Sequence, residues 1–218
     1  FGAHPDDEQT MAATMAKLSD MGVEVCVAIY TDGSEGYPEP DMKDDIVEIR
    51  RKEGEASDRL LGIKERYRFE RPDMALVNDK ETFQETIQLI RRIRPDAIFT
   101  HGPHDRHRDH INTSKISLEA AWQAGQPVGA GLGESWKTPH VLFYKGISDR
   151  PPDIRYDITG YAHKQVESRA TQVSQHTLWG RTKEDMLEEA RRIEEANEPT
   201  SDTFWLTGRT HLTDLPDA

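Results

Sequence analysis

Two short clusters in this chain combine residue types that hold metal ions and move protons. One is Ala3-His4-Pro5-Asp6-Asp7-Glu8, set between an apolar stretch and a helix-periodic one. The other runs His101-Gly102-Pro103-His104-Asp105-Arg106-His107-Arg108-Asp109-His110, where four of the nine histidines fall within ten residues. A catalytic zinc ion takes three protein ligands from His, Asp or Glu and keeps one position for water. His4 and Asp7 stand three apart at a strand-to-helix turn, a spacing that lets both face one point. Neither cluster alone provides metal ligands together with a base and an acid. Jointly they do, if the fold sets the two loops side by side, as neighbouring first and fourth strands would. The plainer role for Asp6 and Asp7 is to cap a helix start, where acids are favoured electrostatically. Adjacent acids behind His-Pro, combined with a His-x-x-His loop, point instead to metal-assisted acid–base chemistry.

The elements that must position these loops alternate between strand and helix. Phe1-Gly2-Ala3 reads as the tail of an apolar strand. In residues 6–21, Met11, Ala12, Met15, Ala16 and Leu18 recur at helical spacing, with Gly22 as C-cap. Residues 23–31 form a continuous apolar, β-branched run, suited to a strand buried on both faces. Turn residues fill 32–40. A helix is expected at 44–61, closed by Gly62, then a short strand at 67–69. An amphipathic helix at 82–94 carries Phe83, Ile87, Ile90 and Ile93 on one face. A buried strand at 97–100 leads into the histidine-rich loop. Beyond it come a helix at 111–122, a Gly/Pro-rich link at 126–133 and strands at 141–144 and 154–158. Helices at 161–173 and 182–195 precede an irregular end from Asn197. This order predicts parallel βαβ units in an α/β, Rossmann-like, doubly wound and mostly parallel sheet. Ligands of such sheets sit beyond the carboxyl ends of the strands, where the loops at 4–8, 31–40 and 101–110 fall.

With 218 residues, the chain is expected to form one α/β domain, with a core over 1–175 and a C-terminal extension over 176–218. Hydrophobic residues at 35% and charged residues at 31% are the balance of a water-soluble fold with a core. The net charge of -12 argues against nucleic acid or an anionic membrane as the main partner, because both need a basic face. The run Arg91, Arg92, Arg94 reads as a solvated helix face. No stretch approaches the ~18 apolar residues of a membrane span. The single cysteine, Cys26, excludes an internal disulfide framework, reads as a small buried hydrophobe and favours a cytoplasmic location. No G-x-G-x-x-G follows the first strand, and acids there would repel pyrophosphate. No G-x-S-x-G is present, and Cys26 inside a strand is a poor nucleophile. His140, His163, His176 and His211 are scattered and read as structural or solvated.

The first cluster resembles the signature of the PIG-L/LmbE deacetylases, and Arg106-His107-Arg108-Asp109-His110 is similar to that family's histidine-aspartate-histidine loop. Thr31-Asp32-Gly33 resembles its Thr-x-Gly. Arg50-x-x-Glu53 with Ala56 and Leu61-Gly62 resembles its following helix. The likeness covers residues 1 to about 175. It implies a zinc-dependent hydrolase that removes an acyl group, most readily acetyl, from the nitrogen of an amino sugar or similar small polar molecule. It implies His4, Asp7 and His110 as zinc ligands and Asp6 as general base. His107 would stabilise the oxyanion or protonate the leaving amine, with Asp109 fixing its imidazole, and Arg50 and Arg106 would contact substrate. Iron or cobalt would suit the same donor set. Relatives commonly form symmetric homo-oligomers. One departure is Gln172-Val173-Ser174-Gln175, with glutamine where the family often has histidine, which bears on substrate contacts more than on the metal. A non-sugar acyl-amine as substrate, and a catalytically silent metal- or sugar-binding relative, are the alternatives.

Overall fold

The computed structural model describes residues 1–207; residues 208–218 of the expected C-terminal extension, His211 among them, lie outside these. Along the described chain the helices are α1 (Ala12–Asp20), α2 (Ile46–Leu61), α3 (Lys80–Ile93), α4 (Arg108–Ala124), α5 (His163–Thr171), α6 (His176–Trp179) and α7 (Lys183–Ala196). The strands are β1 (Cys26–Thr31), β2 (Glu65–Arg71), β3 (Ala97–His101), β4 (His140–Lys145), β5 (Ile154–Asp157) and β6 (Ser201–Leu206). Two compact units result. One comprises Gly2–Leu76 and Arg155–Asp202; the other comprises, of the described residues, Phe1, Val77–Ile154 and 203–207. No helix among the described residues is long and apolar enough to cross a membrane.

In the first unit β1 pairs with β2 in parallel, from Cys26 opposite Glu65 to Thr31 opposite Arg71. On the other side of β1, Gly2 N–H donates to Ala28 O at 2.9 Å and Thr31 N–H to Ala3 O at 2.8 Å, so the expected opening strand is reduced to an isolated parallel bridge of Gly2 with Ile29. Val27–Tyr30 are buried, as a strand covered on both faces should be. Cys26 is the first residue of β1, as expected of a strand residue, but it is only partly buried. The expected helix at 6–21 begins as a 3-10 turn, Asp7–Met11, before α1. Val166 and Ala170 of α5 pack on Met186 and Ala190 of α7. Ser57 of α2 and Ser168 of α5 share a buried hydrogen bond of 2.9 Å.

In the second unit β3 pairs with β4 in parallel, and β4 pairs with β6 antiparallel. Ile87 and Ile90 of α3 meet Ala120, Ala121 and Ala124 of α4 over Ile98. The small residues on α4 let the two helices approach closely. Two expectations need correction. Among the described residues the end from Asn197 is not wholly irregular: Ser201–Leu206 is a strand that buries Asp202 and Phe204 alternately. A carboxylate on the inward face hid its period. Arg91 is not part of a solvated face: it is 4% exposed. Its guanidinium donates to carbonyls of the 123–133 segment, among them Ala124 at 3.1 Å, Gly129 at 2.9 Å and Gly133 at 3.0 Å. A Gly/Pro-rich link has few backbone partners of its own, and the five-donor guanidinium supplies them.

Candidate functional site

In the first unit the chain leaves the bridge at Gly2 and turns sharply after Ala3. Asp7 closes the turn: its Oδ2 accepts from Ala3 N–H at 2.8 Å and His4 N–H at 2.9 Å. A Cβ on Gly2 would lie 2.8 Å from Ile29 Cδ1 and 3.0 Å from Asp7 Cβ, so the turn closes only over glycine. The neighbouring acid is held otherwise. Asp6 Oδ1 lies 2.8 Å from Nη2 of Arg50, whose side chain is 4% exposed. Arg50 in turn is wrapped by the loop after β1. A Cβ on Gly36 would come within 2.6 Å of its Nη1, and Gly33 has φ +72° with Arg50 Cδ 3.0 Å from where a Cβ would be. Gln175 Nε2 donates to Gly36 O at 2.8 Å. Buried Glu53 accepts from Ser174 N–H at 2.6 Å and Ser174 Oγ at 2.8 Å. The Ser174-Gln175 pair therefore clips this loop and α2 together.

His4 has a partner that the sequence did not single out. Its Nε2 lies 3.2 Å from Oδ1 of Asp73, and its Nδ1 lies 3.5 Å from Asp7 Oδ2. Burial raises the Asp73 carboxyl, but His4 and the N–H groups of Met74 and Glu35 outweigh it and hold it below the usual range. Asp73 follows β2 directly, so the strand-end rule that selected the other loops would have found it. Arg66 of β2 was missed too. It pairs with Glu8 at 2.5 Å and Asp58 at 2.8 Å, and Nη1 donates to Pro5 O at 3.3 Å. Burial pushes the Glu8 carboxyl up, while Arg66 pulls against it.

In the second unit β3 ends on His101, which is fully buried. The next residue must be glycine: a Cβ on Gly102 would sit 2.5 Å from Gly146 O. His104 N–H donates to that same carbonyl at 2.9 Å. Asp105 then organises the loop. Its Oδ1 accepts from His107 N–H and its Oδ2 meets His110 Nδ1, both at 2.9 Å. Burial raises the Asp105 carboxyl, yet these contacts lower it further. His107 is the N-cap of α4, with Nδ1 accepting from the Asp109 N–H at 3.3 Å. That contact assigns the ring proton of a neutral His107 to Nε2. The His107 and His110 rings are 4.9 Å apart, and His101 stacks on His110 at 4.3 Å. Asp109 is fully buried and Arg106 is exposed.

The donor types fit a divalent transition metal. His110 has Nδ1 against a carboxylate, the arrangement that orients a metal-ligating imidazole through its other nitrogen. In the first unit Asp7 offers a carboxylate fixed by backbone N–H groups and His4 an imidazole, donor types that such a metal takes.

Comparison with known proteins agrees. The family profile described as PIG-L, GlcNAc-PI de-N-acetylase, matches residues 1–121. The chain is 31% identical over 129 residues to a diacetylchitobiose deacetylase of Thermococcus kodakarensis, covering 57% of this chain and 48% of that one. It is 32% identical over 183 residues to a 1D-myo-inositol 2-acetamido-2-deoxy-alpha-D-glucopyranoside deacetylase of Thermomonospora curvata, covering 67% of this chain and 61% of that one. The chain thus spans about half to three-fifths of these relatives. The solved structure of N,N'-diacetylchitobiose deacetylase from Pyrococcus horikoshii superposes with a TM-score of 0.81 at 26% identity, over 99% of this chain and 85% of that one.

Proposed function

The chain belongs to the PIG-L family, and on that footing we propose that it is a metal-dependent N-deacetylase acting on an N-acetylated amino sugar or a similarly small polar amide. The observation that carries this reading is the unequal treatment of two adjacent acids. Asp7 is fixed by backbone N–H groups, as a ligand must be; Asp6 is turned to a buried guanidinium, as a base kept off the metal must be.

In this proposal His4, Asp7 and His110 hold one divalent ion, zinc by the preference of two imidazoles and a carboxylate. When bound, the ion would supply Lewis acidity to the amide oxygen and lower the pKa of water. Asp6 takes the proton of the attacking water, its carboxylate aimed by Arg50. His107 presents Nε2–H to the carbonyl oxygen as negative charge builds there. A proton from Asp6 or from protonated His107 reaches the departing nitrogen, and a carboxylic acid and a free amine result. Asp109 would fix the imidazole, its backbone N–H donating to His107 Nδ1, while Arg50 and exposed Arg106 would be the contacts for substrate oxygens. The substrate class follows the two curated relatives, whose names specify acetylated amino sugars.

The test is acetate release from a panel of N-acetylated sugars and non-sugar acyl-amines, before and after chelation. Release that chelator abolishes and added zinc restores is the expected result. Release that survives complete metal removal would refute the mechanism.

A further inference from the structure

Under α2, wholly within the first unit, lies a cavity of about 40 Å³. A water needs roughly 10–15 Å³ of such space, so the cavity has room for about three waters or a small organic ion. Arg50, Arg51, Arg66 and Arg68 are among the residues that line it, with Asp32, Glu70 and the apolar Ile29 and Val47. The cations are not equally matched. Arg66 is saturated by Glu8 and Asp58, and Arg51 by Glu48. Among the described residues Arg68 has only Glu55, at 4.0 Å, and burial together with neighbouring Arg66 pulls its guanidinium below the usual range. Arg50 pairs with Asp6 through Nη2, but its buried Nε has no hydrogen-bond partner among the described residues. A buried donor left so costs about 1–3 kcal/mol.

Gly54 gives an independent sign that this space is kept. It lies buried in the middle of α2, where glycine costs about 1 kcal/mol against alanine. Packing does not demand it: a Cβ there would meet its nearest atom, Arg66 Cζ, at 3.4 Å, an ordinary contact. What the glycine does is leave the cavity wall open.

We propose that this cavity binds a small carboxylate anion on the guanidinium groups of Arg50 and Arg68. The choice of a carboxylate over other small anions rests on the proposed hydrolysis, which releases one beside Asp6, the partner of Arg50. The site is separate from the metal ligands, so an anion held there neither needs nor displaces the ion. It draws the released acid away from Asp6 and makes the enzyme sensitive to its own product.

The experiment uses the whole protein after chelation, so that no metal can hold acetate. Sodium acetate is titrated against sodium chloride at fixed ionic strength and pH, following the thermal midpoint and the broadening of the acetate methyl resonance. Acetate should raise the midpoint saturably where chloride does not. Arg68→Gln should raise the half-saturating concentration about tenfold or more, as loss of one charge-assisted hydrogen bond does. Gly54→Val should remove saturation, and Gly54→Ala, which adds one methyl and favours the helix, should weaken it without unfolding. Equal effects of acetate and chloride, unchanged saturation in all three variants, or saturation by phosphate alone would overturn the proposal. Because the metal is absent throughout, these results are independent of whether the intact protein releases acetate from a sugar.

Discussion

The loop after Ala3 and the loop after His101 do the same task, leading from extended chain into a helix with the proposed metal ligands on the bend, yet they are held in different ways. The first depends on distant charges. Asp6 meets Arg50, Glu8 meets Arg66 across 58 positions, and His4 meets Asp73. The second is held mostly from within. Asp105 reaches His107 two positions on and His110 five positions on, and His107 takes the N–H of Asp109. The loop that carries the proposed base therefore takes its geometry from α2, β2 and the turn behind β2. The histidine loop draws part of its geometry from its own sequence and from the Gly102–Gly146 approach. Damage at a distance should harm the first loop and spare the second.

The largest effect is expected where chemistry and positioning coincide. Asp6→Asn removes the base but keeps an oxygen for Arg50, so metal content should hold while kcat falls ~10²–10⁴-fold, the usual worth of a general base. Metal analysis alongside kcat checks this; near-normal turnover would remove Asp6 from the base role. Next comes Arg66→Met, which leaves Glu8 and Asp58 buried without their cation. Breaking such a pair costs about 3–5 kcal/mol and lowers the thermal midpoint by ~10 °C or more. An unchanged midpoint would show that distant charge does not hold the first loop, and the contrast between the loops would fail.

Much of this was legible in the sequence, and what was not shares a cause. The metal-binding residue types, the alternation of strand and helix and the helical faces of α3 and α4 are local patterns. A linear reading recovers them because each depends on neighbours in the chain. Arg66, Asp73 and Arg91 acquire their roles from residues far along the chain, and a charged residue read alone defaults to solvent. Asp202 hid β6 for the same reason. It is a buried carboxylate accepting from Thr14 N–H at 3.3 Å and Gln165 Nε2 at 3.2 Å, and its partners cannot be seen from the pattern around it. The joining of the two loops on one ion remains the proposal that the variants test.

A smaller effect should mark the second loop. Asp105→Asn keeps an acceptor for His107 N–H but loses the carboxylate that steadies His110. Losing such an outer partner typically lowers metal affinity ~10–100-fold. The metal-free midpoint should move little, since most other contacts of the loop are local. Zinc titration with a competing chelator gives the first number and a melting curve the second. A large fall in the metal-free midpoint would mean that the histidine loop, too, leans on buried charge.

The smallest effect concerns Glu53, whose carboxylate clips Ser174 and, through Gln175, the loop around Arg50. Burial raises its carboxyl above the usual range, although Ser174, Arg50 and His176 all pull it down. The folded protein thus holds this proton more tightly than the unfolded chain does. The stability Glu53 contributes is complete below its unfolded pKa of about 4.3 and is lost as pH rises through the folded value. Glu53→Gln has no such loss, though it accepts less well from Ser174. The advantage of the wild type over Glu53→Gln should therefore shrink between about pH 4 and pH 7, by on the order of 1 kcal/mol, the net worth of one hydrogen bond. Urea melts at several pH values would read it. An advantage that grows with pH would mean that the ionised carboxylate is the favoured form, and that the first loop is held through charge at this distant point as well as at Arg50 and Arg66.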